Sequence, residues 1–200
     1  MNLNNQMSIF DFTREPISIT KPIRLIELFA GYGSQAMALK RIGAKFEHYR
    51  VVEFDKYAIA SYNAVHGTDF PTMDITKVHA EDLNICDTEN FTYLLTYSFP
   101  CTDISKAGKM EGITESTRSG LILQVERLLR EAHEKGELPM YLMLENVATL
   151  ASKRFKGFLD GWIQFLFDLG YDTKYKVINA STQGIPQNRD RIIAVSKLRA

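Results

Sequence analysis

The sequence predicts an α/β fold in which the strands of an open, mostly parallel sheet alternate with helices. The apolar run 23–28 leads directly into a turn with two glycines, and a helical pattern follows that turn. A strand, a glycine turn and a helix in this order are typical of the first unit of a nucleotide-binding α/β domain. Further short apolar runs, separated by amphipathic helical patterns, indicate that such units continue along the chain.

Each element has its own signal in the sequence. Apolar runs of five to eight residues that end at polar residues or proline predict buried strands, and apolar spacings of three and four predict helices that end near glycines. The last two strands have no helix between them and predict a hairpin. Another strand is expected to end at Asp74, after a loop that contains proline. The predicted strands are 23–28, 49–53, 93–99, 141–147, 172–179 and 191–196, and the predicted helices cover about 37–42, 56–65, 119–133 and 153–169.

Length and composition indicate one globular domain over residues 23–200, preceded by a polar arm over residues 1–22. The chain has 200 residues, of which 45% are hydrophobic, and no apolar run approaches the ~20 residues of a membrane-spanning helix. No membrane partner is therefore expected. The two cysteines, Cys86 and Cys101, argue against a disulfide framework and favour a reducing, cytoplasmic location.

The net charge of zero argues against a dedicated basic nucleic-acid binder. The charge is unevenly distributed, because residues 153–200 hold nine basic and four acidic side chains. A positive C-terminal part that faces phosphate and an ordinary solvated surface both remain open.

The glycine turn and two later carboxylates suggest a ligand site at the ends of the first strands. Gly31 and Gly33 lack a Cβ, so the backbone there can lie against a ligand, although a plain tight turn is the alternative. Glu53 follows Gly31 by 22 positions, close to the ~20 residues at which a carboxylate reaches ribose hydroxyls in such folds. Phe54 could then lie against an adenine ring. Taken alone, Asp74 is better explained as an exposed loop residue.

Cys101 follows the predicted strand 93–99 and Pro100, in the crevice where open α/β sheets hold their ligands. A thiol in this position is a candidate nucleophile. The alternative is that the cysteine fills the core, as buried cysteines often do.

Two further polar features lie near the ends of later strands. Glu145 and Asn146 end an apolar run, where a carboxylate costs free energy unless it has a partner or a function. Arg189 and Arg191 share a face of an extended chain and could clamp a phosphate or carboxylate, or form a solvated edge.

Taken in order, these pieces resemble the DNA (cytosine-5) methyltransferases. The matching motifs are Phe29-x-Gly31-x-Gly33, Glu53, Asp74, Phe99-Pro100-Cys101, Glu145-Asn146-Val147 and Gln187-x-Arg189-x-Arg191. The resemblance covers residues 23–200. It implies a Rossmann-like methyltransferase fold with a doubly wound, mostly parallel sheet that is mixed near its end. It also implies S-adenosylmethionine as cofactor, no metal, and double-stranded DNA as partner.

The resemblance also assigns roles to the residues. It implies that Cys101 is the nucleophile that adds to C6 of a flipped cytosine, that Glu145 engages the ring, and that Arg189, with Arg191 nearby, supports this end of the site. The implied cofactor contacts are Phe29, Ala30, Gly31, Gly33, Glu53, Phe54, Asp74, Ile75 and Pro100. The implied substrate contacts are Ser105, Arg118 and Asn146.

The chain departs from the family pattern in ways that leave alternatives open. Thr102, Ser34 and Glu27 replace a glutamine, a glycine and an aspartate that are common in the family. The sequence ends before the family's target-recognition domain and final motifs. Two explanations remain open: a second polypeptide carries target recognition, as in a split restriction-modification enzyme, or this chain is a piece of a longer protein. A non-catalytic cofactor-binding remnant and a tRNA cytosine-5 methyltransferase remain the alternatives.

Overall fold

The computed structural model describes residues 19–102, 113–114 and 117–199. Six strands and five α-helices alternate over most of this part of the chain, with short 3₁₀ turns at 75–77, 118–121, 148–151 and 180–183. The strands are β1 (Ile23–Leu28), β2 (Phe46–Val52), β3 (Thr92–Tyr97), β4 (Tyr141–Val147), β5 (Tyr171–Asn179) and β6 (Asp190–Leu198). The helices are α1 (Ser34–Arg41), α2 (Lys56–His66), α3 (Ala80–Leu83), α4 (Ile122–Lys135) and α5 (Lys156–Asp168).

The strands form a single sheet in the order β2-β1-β3-β4-β6-β5. The first four are parallel to their neighbours, whereas β6 runs antiparallel to both β4 and β5. The sheet is thus mostly parallel and mixed at one side, which confirms the predicted fold class and the predicted hairpin of the last two strands.

The order of the strands places several chain turns at one edge of the sheet. Parallel strands β1, β2, β3 and β4 end together, so the segments after Leu28, Val52, Tyr97 and Val147 lie at the same edge. The chain goes outward from β1 to β2 and then returns past β1 to β3. Such a reversal of strand order opens the crevice in which doubly wound sheets bind ligands.

The two faces of β1 lie against two different hydrophobic clusters. Ile26 and Leu28 belong to the larger cluster, which includes the buried faces of α4 and α5. Successive side chains of a strand point to opposite faces. Glu27, between them, therefore faces the smaller cluster, in which Tyr62 of α2 is fully buried.

One predicted strand end is wrong. Residues 68–74 have no regular secondary structure, and Asp74 instead begins the 3₁₀ turn Ile75–Lys77. Proline at position 71 cannot donate to a strand ladder. The segment is attached to the end of β2 by the hydrogen bond that the Met73 amide donates to the Glu53 carbonyl at 2.8 Å.

The other element predictions agree with the structure to within a few residues, but some fall outside the described residues. These are most of the predicted arm 1–22 and the predicted substrate contact Ser105. Thr117 caps the turn Arg118–Leu121 by accepting from the amide of Gly120.

Candidate active site

The turn after β1 is held in a conformation that only particular residues tolerate. Gly31 has φ 57° and Gly33 has φ 82°, both in the left-handed region that favours glycine. A Cβ at Gly33 would lie 2.7 Å from Cε2 of Tyr62 and would also collide with His66. Phe29 adopts φ 58° without being glycine, so the turn stores backbone strain. Its amide donates to the carbonyl of Val52, which fixes the turn against β2.

Glu53 connects this turn to the start of α2. Its Oε2 accepts a hydrogen bond from the amide of Gly31 at 2.9 Å, and its Oε1 accepts from the amide of Asp55 at 2.8 Å. A carboxylate offers about four acceptor sites. Glu53 can therefore hold the glycine turn and still accept from hydroxyl donors of a ligand.

Asp74 caps the turn Ile75–Lys77. Its Oδ1 accepts from both the hydroxyl and the amide of Thr76, at 2.8 and 3.0 Å. These hydrogen bonds lower the pKa of Asp74 below its ordinary value, so the carboxylate is charged at neutral pH. Ile75, directly after it, is buried.

A cavity of about 530 Å³ lies at the carboxyl edge of the sheet and brings these groups together. This volume falls within the ordinary range of small-molecule sites. Phe54 stands at its edge with 76% of its surface exposed. The lining residues are Phe29, Val52, Glu53, Phe54, Asp55, Met73, Asp74, Ile75, Pro100, Arg118 and Leu121.

Cys101 follows directly from the cavity wall, of which Pro100 is part. The thiol is free and partly exposed, and it packs against the edge of the larger hydrophobic cluster. Asn146 of β4 fixes the chain just before it, because its Nδ2 donates to the carbonyl of Phe99 at 3.0 Å. Asn146 is itself 3% exposed, and its Oδ1 accepts from the amide of Val147.

Glu145 and Arg191 form an ion pair across the antiparallel strands β4 and β6. Nε of Arg191 lies 2.9 Å from Oε1 of Glu145, and both side chains are mostly shielded, at 22% exposure for Arg191 and 29% for Glu145. Arg191 pairs in register with Val147, two residues along from Glu145, so the side chains meet diagonally on one face. The arginine that reaches Glu145 is thus Arg191. Arg189 precedes β6 and is exposed.

This geometry agrees with a family-level match. A profile described as C-5 cytosine-specific DNA methylase matches residues 23–200. The chain belongs to this family. Because the match begins at the first residue of β1 and runs to residue 200, it includes every strand of the sheet.

The chain is similar to several methyltransferases of bacteria. It is 30% identical to the orphan methyltransferase M.SssI of Spiroplasma monobiae, over 90% of this chain and 60% of that protein. It is 34% identical to the type II methyltransferase M.HhaI of Haemophilus parahaemolyticus, over 86% of this chain and 48% of that protein. The chain spans roughly half the length of the curated relatives it matches, with coverage from 32% to 61%.

Solved structures show the same fold. The S. pombe Dnmt2 methyltransferase superposes with a TM-score of 0.66 at 24% identity, over 88% of this chain and 49% of that one. The Entamoeba histolytica methyltransferase EhMeth gives a TM-score of 0.66 at 19% identity, over 90% of this chain and 54% of that one.

The structure distributes the predicted site residues of the C-5 methylase unevenly around the cavity. Six of the nine predicted cofactor contacts line the cavity. The other three, Ala30, Gly31 and Gly33, form the turn that follows Phe29 in the chain. Arg118, expected to contact DNA, lies on the cavity wall. Asn146, expected to contact substrate, has both polar atoms occupied within the chain, which favours a positioning role.

A buried network below the glycine turn was missed by sequence reasoning. Glu27 is 1% exposed, and its Oε2 accepts from the hydroxyl of Tyr62 at 2.5 Å. The Tyr62 oxygen in turn lies 2.6 Å from Nδ1 of His48. Burial raises the pKa of Glu27 to about 7, against the opposing hydrogen bond from Tyr62, and its buried Oε1 has no hydrogen-bond partner among the described residues. The sequence did contain a sign of this network, because Glu27 is a carboxylate inside the apolar run 23–28.

The described residues contain neither a metal-binding cluster nor a helix that could cross a membrane. Among the described residues, no group of three or more His, Cys, Asp or Glu side chains could hold a metal ion. In the same part of the chain, no helix has both the length and the apolarity needed to cross a bilayer.

Proposed function

We propose that the chain is the cofactor-binding and catalytic part of a DNA (cytosine-5) methyltransferase. The observation that carries this proposal is the junction at Pro100, which lines the 530 Å³ cavity while the next residue, Cys101, presents a partly exposed thiol. A methyl donor in the cavity and a base held by the thiol would then be neighbours. Methyl transfer needs this proximity of donor, acceptor and nucleophile.

The cavity fits the nucleoside part of S-adenosylmethionine. Glu53 retains acceptor sites for the ribose hydroxyls, and the exposed ring of Phe54 provides a face for adenine. The charged carboxylate of Asp74 would accept a hydrogen bond from the adenine amino group. S-adenosylmethionine supplies an electrophilic methyl carbon, which passes to C5 of the base.

Cys101 activates the base in this proposal. Cytosine C5 is a poor nucleophile, and addition of the thiolate at C6 makes the ring resemble an enamine. Loss of the C5 proton after methylation lets the thiolate leave and restores the aromatic ring. The hydrogen bond from Asn146 to the Phe99 carbonyl would hold the sulfur in place for the addition.

Glu145 engages the base beside Cys101. Residues Tyr97 and Leu144 pair in the parallel register of β3 and β4, so the segments that carry Cys101 and Glu145 continue side by side. Glu145 would offset charge at N3 as the thiolate adds. Arg191 occupies Oε1 of Glu145 and thereby fixes the orientation of the carboxylate.

The acceptor is double-stranded DNA in this proposal, and the target cytosine must leave the helix to reach the thiol. We propose that target recognition comes from a second polypeptide or from a further part of a longer protein, because a chain with no net charge is not by itself a dedicated DNA-binding surface. Its cysteine content suits action in the cytoplasm.

The experiment that tests this function is methyl transfer from labelled S-adenosylmethionine. Cytosine-rich duplex DNA and tRNA are offered as separate acceptors, with and without a candidate partner polypeptide. Transfer to duplex DNA is expected, and Cys101→Ser should abolish it while cofactor affinity is retained. Transfer to tRNA alone would replace the DNA assignment, and cofactor binding without any transfer would identify a non-catalytic remnant.

A further inference from the structure

Arg127 lies on α4, outside the cavity wall, and its guanidinium reaches the segment that follows Asp74. Nη2 of Arg127 donates to the carbonyl oxygen of Ile75 at 3.0 Å and to that of Val78 at 2.8 Å. Ile75 begins the 3₁₀ turn and Val78 is the residue that ends it. One side chain of α4 therefore ties down both ends of this turn.

Glu131, one helical turn further along α4, completes the attachment. Its Oε1 accepts from Nη1 of Arg127 at 2.7 Å, and its Oε2 accepts from the amide of Ala80 at 2.9 Å. Burial opposes ionisation of Glu131, but the hydrogen bonds from Ala80 and Arg127 outweigh it and lower its pKa. Arg127 and Glu131 thus form a charged, partly shielded clamp around the segment.

The side chains of Ile75 and Val78 are buried in the larger hydrophobic cluster, but the backbone hydrogen bonds within the turn are few. The amide of Lys77 donates to the Asp74 carbonyl at 2.9 Å, whereas the amide of Val78 reaches the Ile75 carbonyl only at 3.4 Å. The shorter bond to Ile75 is the one from Arg127, and hydrogen bonds weaken with distance. On its N-terminal side the turn is held by the hydrogen bond from the Met73 amide to the Glu53 carbonyl, and on its C-terminal side by Arg127 and Glu131.

The orientation of the Asp74 carboxylate depends on this turn. Both of its hydrogen bonds join Oδ1 to Thr76, which lies between the two residues that Arg127 holds. A rotation of the turn would therefore rotate the carboxylate relative to the cavity. Ile75, whose carbonyl Arg127 binds, is part of the cavity wall.

We propose that Arg127, held by Glu131, is a positioning residue that fixes Asp74 and Ile75 at the adenine end of the cofactor site. Arg127 thereby controls how strongly the site prefers a ligand that carries the adenine amino group over one in which oxygen replaces it. This inference rests on the proposed function, because it takes an S-adenosyl compound as the ligand. A guanidinium suits the task, since its planar array of donors can serve two carbonyls and a carboxylate at once.

The test compares two ligands on each variant by calorimetry. S-adenosylhomocysteine carries the adenine amino group, and S-inosylhomocysteine replaces it with oxygen. The variants are Arg127→Met, Arg127→Lys and, as reference for lost discrimination, Asp74→Asn. The matched control is Arg130→Met, because Arg130 lies on the same helix and pairs with Glu126 instead. The ratio of the two dissociation constants is read on each variant, so a partly unfolded sample does not change it.

The wild-type chain should prefer the adenine ligand by about tenfold or more, the effect of one hydrogen bond to a charged group. Arg127→Met should reduce this ratio towards that of Asp74→Asn, Arg127→Lys should lie between, and Arg130→Met should keep the wild-type ratio. An unchanged ratio in both Arg127 variants, with adenine binding intact in the wild type, would overturn the inference and leave the proposed function standing. If the wild type binds neither ligand, the proposed function fails and the inference fails with it.

Discussion

Replacing Glu27 by glutamine should change the free energy of unfolding by an amount that becomes more favourable to the variant as the pH rises. Glu27 lies inside the sheet at 1% exposure, and burial raises its pKa from 4.5 to about 7. A carboxyl with a raised pKa contributes its full stability below pH 4.5, and this contribution is lost as the pH rises through 7. A glutamine side chain cannot ionise, yet its oxygen can still accept from Tyr62.

The expected size follows from the pKa difference. Between pH 5 and pH 8 the wild type should lose about 2.5 kcal/mol of stability, relative to Glu27→Gln, through this one group. For a chain of this length the relative shift in melting temperature should be roughly 5–10 °C. Groups other than Glu27 cancel in the comparison between the two proteins.

Urea denaturation at pH 5, 6, 7 and 8 would measure this difference, with the exposed Glu89→Gln as control. The control should show the same difference from wild type at every pH. If Glu27→Gln also shows a constant difference from wild type between pH 5 and pH 8, ionisation of the buried carboxylate does not lower the stability of the wild type. The assigned environment of Glu27 would then be wrong.

Two further predictions concern the site. Glu53→Ala should weaken S-adenosylhomocysteine binding at least tenfold, because it removes both the acceptor for the ribose hydroxyls and the hydrogen bond from the Gly31 amide. Calorimetry measures this affinity, and an unchanged value would contradict the placement of Glu53 at the ribose. Asn146→Ala should lower kcat about tenfold or more and change cofactor affinity less than twofold, since it frees the peptide before Cys101. Single-turnover methyl transfer checks this prediction, and a loss confined to cofactor binding would argue against the positioning role.

The sequence predicted the strands, helices and glycine turn because these features depend on residues that are close together in the chain. The run from Ile23 to Leu28 is buried on both faces, and the glycines at 31 and 33 take up positive φ. The last hairpin followed from the lack of a helix between two strand patterns. Asp74 was placed wrongly at a strand end because the loop with proline gives no periodic signal, and a 3₁₀ turn of three residues has none either.

The contacts that organise the site depend on tertiary packing, which local patterns do not contain. Arg127 is 52 residues from Ile75, and the side chain of Tyr62 is 35 residues from that of Glu27. The sequence placed Arg189 and Arg191 on one face, but the register of β4 against β6 decides that Arg191 meets Glu145. The thiol of Cys101 and the carboxylate of Glu145 were predicted as site residues because each lies at the end of a strong apolar run.

The central claim is that the Cys101 sulfur adds to C6 of cytosine. Duplex DNA in which every cytosine is 5-fluorocytosine tests this claim without knowledge of the target sequence. Fluorine cannot leave C5 as a proton does, so elimination is blocked and the thiolate stays attached. The chain is incubated with this DNA, S-adenosylmethionine and its candidate partner, and adducts are mapped by peptide mass spectrometry.

We expect a covalent adduct that survives denaturing electrophoresis, maps to Cys101 and is absent with Cys101→Ser. No adduct from the wild type, an adduct on Cys86, or equal adduct formation by Cys101→Ser would contradict the claim.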